Sequence, residues 1–97
     1  MADNVTEELT ALRAELDAHD VALIRMIAAR FDIIRKVGRY KRSAQVPMMQ
    51  TGRVESVREG AVRQGEALGI EPGFMREFFR MLVTESCRVE ESVITAA

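Results

Sequence analysis

The sequence predicts an all-α protein of three helices: one long, one short and one of medium length. Apolar residues recur every three or four positions through three segments, and no segment alternates as a half-buried strand would. Two breaks containing proline and glycine separate these segments. The chain has 97 residues, 47% of them hydrophobic and 30% charged, which suits one soluble domain over residues 1–97.

The first helix is predicted from Thr6 to about Arg42, without a proline. Asn4 is a candidate N-cap, and Glu7 three residues later completes a capping-box pattern. Gly38 weakens the helix without ending it, and basic residues crowd its last turns, where the helix dipole favours cations. Its apolar stripe contains Leu9, Leu12, Leu16, Leu23, Ile24, Ile27, Phe31, Ile34 and Val37.

This helix is too long for one chain to cover. At 1.5 Å per residue it extends roughly 55 Å, whereas a compact domain of this size has a radius of gyration of roughly 12–13 Å. Since the apolar pattern continues without a breaker, a second copy is expected to lie alongside. The predicted assembly is an intertwined antiparallel homodimeric helical bundle.

Two further helices complete the fold. The segment Ser43–Gly52 contains Pro47 and is the first break. The second helix is predicted from about Gly52 to Leu68, with Gly69 as its C-terminal glycine. The third begins with a first-turn proline, Pro72, and runs to about Thr95.

Composition excludes several classes of function. A net charge of −1 argues against a chain that coats nucleic acid or an acidic membrane. The single cysteine, Cys87, cannot form an internal disulfide, and with one histidine no structural zinc set can be built within a chain. No metal or cofactor is expected. Without a signal segment or an apolar run long enough to span a bilayer, the predicted location is the cytoplasm.

Three cations interrupt the first helix and suggest a shared site. Arg30 and Lys41 are eleven residues apart, so they lie within about 20° of each other and roughly 16 Å apart along the axis. Arg13, seventeen residues before Arg30, points about 100° away and lies roughly 25 Å along the axis. In an antiparallel dimer whose axis passes near Ile24, Arg13 of one chain falls between Arg30 and Lys41 of the other.

Such a cluster of like charges needs an anion. A small dicarboxylate is the natural ligand, because the arginine fork pairs bidentately with a carboxylate. The alternative is that these cations are ordinary solvated side chains, in which case the chain is a non-enzymatic helical interaction module. Substitution of Arg30 would then change no turnover or binding.

Five short motifs, in order and nearly without gaps over residues 7–94, carry a family resemblance. They are ALR at 11–13, AAR at 28–30, KVGRYK at 36–41, GRVE at 52–55 and ESCRVE at 85–90. The chain resembles the AroQ-type chorismate mutases, small helical enzymes that form intertwined dimers. The resemblance implies a Claisen rearrangement of chorismate to prephenate, which requires neither nucleophile nor metal.

The resemblance also assigns roles to individual residues. Arg13 from the partner chain and Arg30 would bind the two substrate carboxylates, with Ser86 near a carboxylate and Arg53 near the ring. Lys41 would reach a carboxylate and the ether oxygen. Such groups hold the reactive conformer and stabilise the growing negative charge.

Glu90 would donate to the ether oxygen from the side opposite Lys41, which completes a catalytic set of Arg30, Lys41 and Glu90. Many members of the family have glutamine at the position of Glu90. An ionised glutamate would repel the developing oxyanion, so Glu90 must be protonated to act as a donor.

Two departures concern the substituent at carbon 4 of the substrate. The family often has aspartate where Gln50 stands and glutamate where Val54 stands, and those carboxylates recognise a hydroxyl there. The stretch VPMMQTGRV, with CRVE later, resembles the branch acting on 4-amino-4-deoxychorismate, which leads to p-aminophenylalanine units in antibiotics.

The predicted function is therefore rearrangement of 4-amino-4-deoxychorismate to 4-amino-4-deoxyprephenate. The alternatives are a chorismate mutase of aromatic amino-acid biosynthesis and an isochorismate pyruvate lyase. A partner enzyme of the same pathway is a further candidate interaction.

Overall fold

The computed structural model describes residues 6–96 and contains three helices within them. They are α1 (Glu7–Ala44), α2 (Arg53–Ala67) and α3 (Pro72–Ile94). No strand occurs in the described range. The all-α prediction is confirmed, and every predicted helix end that lies within residues 6–96 falls within two residues of the observed one.

The start of α1 differs in detail from the prediction. Asn4, the predicted N-cap, lies outside the described residues. The helix begins at Glu7, and the hydroxyl of Thr6 accepts a hydrogen bond of 3.1 Å from the Leu9 N–H. Thr6 therefore fills the N-cap role. At the other end, the helix continues through Gly38, as predicted.

The chain divides into two units, Met1–Asp32 and Ile33–Ala97. The described part of the first unit is one stretch of α1. Ile27 and Phe31 are half-buried there. The other large apolar side chains are exposed to solvent: Leu9, Leu12, Leu16, Val21, Leu23, Ile24 and Met26.

The second unit contains the end of α1 together with α2 and α3. Its small core holds Ala61, Val62, Val83 and Val89. Helices α2 and α3 approach closely at Gly65, where an added Cβ would lie 2.6 Å from Met75 Cγ. Only a residue without a side chain permits this distance.

The turn between α2 and α3 is closed at both sides. The Gly69 N–H donates to Glu66 and the Ile70 N–H to Gly65, which is the Schellman pattern, and Gly69 has the expected left-handed φ of 80°. The Glu71 carboxylate then caps α3 by accepting from the Phe74 N–H at 2.6 Å. Pro72 occupies the first helical turn, as predicted.

Across residues 6–96, no helix is long and apolar enough to cross a membrane.

Candidate active site

Lys41, near the end of α1, connects three segments of the second unit. Its Nζ lies 2.6 Å from Oε2 of Glu90 on α3. The same ammonium donates to the carbonyl of Met48 in the loop between α1 and α2. The backbone carbonyl of Lys41 also accepts a 2.9 Å hydrogen bond from the Val46 N–H. Lys41 is thus held by both its backbone and its side chain.

Glu90 faces Lys41 from a buried position on α3. The two side chains are only 14% and 10% exposed. The Glu90 Oε2 atom makes no aligned hydrogen bond, so its contact with Lys41 is an ion pair of poor hydrogen-bond geometry. A buried carboxylate with an unfilled acceptor position is costly. The pair is therefore positioned to exchange partners when a polar ligand enters.

Ser86 lies one helical turn before Glu90 on the same face of α3 and is buried. Its hydroxyl donates to the Leu82 carbonyl at 2.7 Å. A hydroxyl has one proton to donate. Ser86 must therefore turn away from Leu82 if it is to donate to a ligand carboxylate.

The loop between α1 and α2 carries the two residues that depart from the family pattern. Gln50 is exposed, and its Nε2 donates to the Pro47 carbonyl at 2.8 Å. This bond fixes the orientation of the amide, since only the NH₂ group can donate to a carbonyl. Val54, one residue inside α2, is half-buried and has no polar atom to offer in its side chain.

Arg53, the first residue of α2, is exposed and lines an open cleft of about 370 Å³ in the second unit. Gly52 precedes it with a left-handed φ of 80°, which glycine adopts without strain. The other lining residues come from α2 and α3: Val57, Ala61, Gln64, Met75 and Phe79. Lys41, Ser86 and Glu90 do not line this cleft, so the structure does not bring Arg53 together with them there.

The two remaining predicted site residues belong to the first unit. Arg13 is exposed, and Arg30 is half-buried and already engaged in an interaction within the ligand-free chain. The structure therefore brings Lys41 and Glu90 together, with Ser86 one turn away. The trans contribution of Arg13 and the carboxylate contact of Arg30 stay predictions.

Two features of this site were not found from the sequence. One is the Met48 carbonyl as a partner of Lys41. The other is the close packing of Gly38, which lies one turn before Lys41 and is buried. The motif KVGRYK contained the signal for Gly38, but a glycine inside a helix does not by itself show which neighbour it approaches.

Comparisons with known proteins identify the family. The family model for chorismate mutase type II matches residues 12–91. A 4-amino-4-deoxychorismate mutase of Streptomyces pristinaespiralis is 44% identical over 91 residues, covering 94% of this chain and 70% of that protein. A 4-amino-4-deoxychorismate mutase of Streptomyces venezuelae is 41% identical over 88 residues, covering 91% and 85%.

A more distant relative extends the family. The T-protein of Enterobacter agglomerans is 33% identical over 79 residues, which is 81% of this chain and 21% of that longer protein. The match to the family model spans all three helices and includes Lys41, Ser86 and Glu90. From the match of the family model over residues 12–91 and the relatives at 44% and 41% identity, the chain belongs to the chorismate mutase type II family.

Proposed function

We propose that the protein rearranges 4-amino-4-deoxychorismate to 4-amino-4-deoxyprephenate. The choice of substrate rests on two Streptomyces relatives that are named 4-amino-4-deoxychorismate mutase. They are 44% and 41% identical to this chain over nearly its whole length. Membership of the family supports the reaction type, an isomerisation within one molecule.

The pairing of Lys41 and Glu90 supports a common role at the ether oxygen. Claisen rearrangement breaks the bond between this oxygen and the ring while a carbon–carbon bond forms, and negative charge grows on the oxygen. A preorganised ammonium on one side and a proton donor on the other lower the energy of that transition state. The 2.6 Å contact leaves no room for the substrate oxygen, so the ion pair opens on binding.

Opening of the pair gives each side chain its own partner. The dianionic substrate replaces the Glu90 carboxylate as the partner of the Lys41 charge, which frees Glu90 to face the ether oxygen from the other side.

The exposed apolar stripe of the first unit supports a homodimer. Leu16 and Ile24 are 61% and 65% exposed, and residues 6–96 contain no large side chain that is completely buried. Two-fold association would cover this stripe. In the proposed dimer, Arg13 of the partner and Arg30 bind the substrate carboxylates, with Ser86 as an additional donor and Arg53 near the ring.

The groups near the start of α2 support a changed substituent at carbon 4. Val54 cannot recognise a hydroxyl or an amine by hydrogen bonding. Gln50 donates a hydrogen bond from its NH₂ group to the Pro47 carbonyl. Of the side chains of Gln50 and Val54, only the Oε1 atom of Gln50 is then left to accept a hydrogen bond from the substrate. An acceptor oxygen suits a substituent that donates protons, and a protonated amine donates more of them than a hydroxyl.

The decisive experiment measures kcat/KM for 4-amino-4-deoxychorismate and chorismate side by side. The amino substrate should be preferred by at least about tenfold, the value of one good polar contact. A preference for chorismate would overturn the substrate. Pyruvate release from isochorismate would reveal a lyase instead, and no turnover of any of these compounds would leave a non-enzymatic module.

The biological setting is proposed from the family resemblance. We place the product on a route to p-aminophenylalanine units of antibiotics, in the cytoplasm, with a partner enzyme of that route as a candidate activator. Addition of such an enzyme should raise kcat/KM, and an unchanged rate would argue against activation.

A further inference from the structure

Helix α1 packs closely against α3 at Gly38, within the second unit. A Cβ added to this buried glycine would lie 3.2 Å from the backbone carbonyl oxygen of Glu90 and 3.2 Å from both Cβ and Cγ1 of Val93. Glycine inside a helix costs stability relative to alanine. The close approach of the two helices accounts for its presence here.

This close contact lies beside Lys41 and Glu90, the two residues proposed to act at the ether oxygen. Gly38 lies three residues before Lys41, so both lie on the same face of α1. On α3, the carbonyl that faces Gly38 belongs to Glu90 itself. The separation of the two backbones here therefore sets the 2.6 Å distance between Lys41 Nζ and Glu90 Oε2.

We propose that Gly38 is a positioning residue for catalysis: the missing side chain holds α1 and α3 at the spacing that places Lys41 opposite Glu90. This inference rests on the roles proposed above for those two side chains. Gly38 itself has no side chain that could contact the substrate. It acts only through the backbones that carry Lys41 and Glu90.

Alanine at this position would force the helices to adjust. A contact of 3.2 Å is tighter than nine in ten real Cβ contacts, so a neighbour must move by a few tenths of an ångström. One of the neighbours is a backbone carbonyl inside a helix, which cannot rotate away as a side chain can. Since interiors are closely packed, the shift passes to the helix and to the group it carries.

The first experiment compares Gly38→Ala with Gly60→Ala. Gly60 lies inside α2, where an added Cβ would meet nothing closer than 3.9 Å. Both variants gain helix propensity, but only Gly38→Ala should lower kcat, by about tenfold or more, with a smaller change in KM. Equal kcat in wild type and Gly38→Ala would overturn the proposal.

A second measurement does not depend on the substrate. Acylation of Lys41 by an amine reagent, followed by mass spectrometry and normalised to exposed Lys36, reports how well the ion pair protects Lys41. Gly38→Ala should raise this labelling severalfold, and Gly60→Ala should not. This readout separates failure of the positioning role from failure of the proposed reaction, because it requires no turnover.

A double-mutant cycle distinguishes positioning from general damage. In a Lys41→Gln background there is no ammonium to position, so Gly38→Ala should lower kcat little further. The same loss in both backgrounds would overturn the proposal. If circular dichroism shows that Gly38→Ala does not fold, Val93→Ala disturbs the crossing from the α3 side. It should raise Lys41 labelling too, and unchanged labelling would contradict the inference.

Discussion

The two units of the chain use their apolar residues in opposite ways. In the second unit, side chains such as Val62, 4% exposed, pack into a core made by one chain. In the first unit, Leu16 and Ile24 stay 61% and 65% exposed on a single helix. The second unit also leaves large side chains exposed, such as Leu68, Phe74 and Met81, but within residues 6–96 the buried core belongs to it alone. Because exposed apolar stripes mark interaction surfaces, we expect the first unit to pack against a partner.

This contrast extends to the charged residues. Lys41 and Glu90 find each other within the second unit, so one half of the proposed site is assembled before any partner arrives. Arg13 is exposed on the first unit, and in the proposed dimer it completes the site of the partner chain. The predictions below test this division between a preassembled half and a half supplied by association.

Loss of the preassembled cation should have the largest effect. Lys41→Gln should lower kcat by about 10²–10³-fold, the usual result of removing one group that stabilises a developing oxyanion. Lys36→Gln, a matched change at an exposed position of α1, should leave kcat near the wild-type value. Comparable losses in both variants would mean that the ion pair with Glu90 has no special role.

The half supplied by association can be tested with mixed chains. Arg13→Ala should lower kcat/KM by about tenfold to a hundredfold, since a charged hydrogen bond to a carboxylate is lost. Mixing this variant with Lys41→Gln and allowing subunits to exchange should restore about a quarter of wild-type activity, because half the dimers then hold one complete site. Activity no higher than that of the separate variants would place Arg13 in cis or outside the site.

The donor role of Glu90 predicts that an amide can replace it. Glu90→Gln supplies a neutral donor of similar size, so it should keep kcat/KM within about tenfold of the wild-type value, whereas Glu90→Ala should lower it by about 10²–10³-fold. Equal losses in both variants would contradict the donor role.

The smallest effect concerns the stability of the second unit. Glu71→Ala removes the side chain that caps α3 and should lower the free energy of unfolding by about 1 kcal/mol. Glu91→Ala, at the opposite end of the same helix, removes an exposed carboxylate without losing a cap. Thermal unfolding should therefore show a lower Tm for the first variant alone, and equal Tm values would show that the cap does not contribute.

Much of the fold could be predicted from local signals. Pro72 and Gly69 have fixed positions relative to helix ends, which is why those ends were correct. The N-terminal cap was less certain because Asn4 and Thr6 are both good capping residues, and propensity does not choose between them.

The site was less accessible to sequence reasoning. The resemblance placed Lys41 and Glu90 at the same oxygen of the substrate, but it did not predict that the two side chains contact each other directly at 2.6 Å. The partner carbonyl of Met48 carries no side-chain signal at all. The approach of α3 to Gly38 depends on how two helices cross, which apolar periodicity does not report.

The attachment of Lys41 to the loop has a consequence for changing what this enzyme accepts. The loop residues Val46 and Met48 are hydrogen-bonded to the backbone and the ammonium of Lys41. Two residues later stands Gln50, which we propose recognises the substituent at carbon 4. Substitutions that remodel this loop to admit a new substituent will also move the reactive ammonium. We therefore expect changes in substrate preference to alter kcat as well. Variants selected for a new substrate should need further substitutions on α1 that return the Lys41 ammonium to its position.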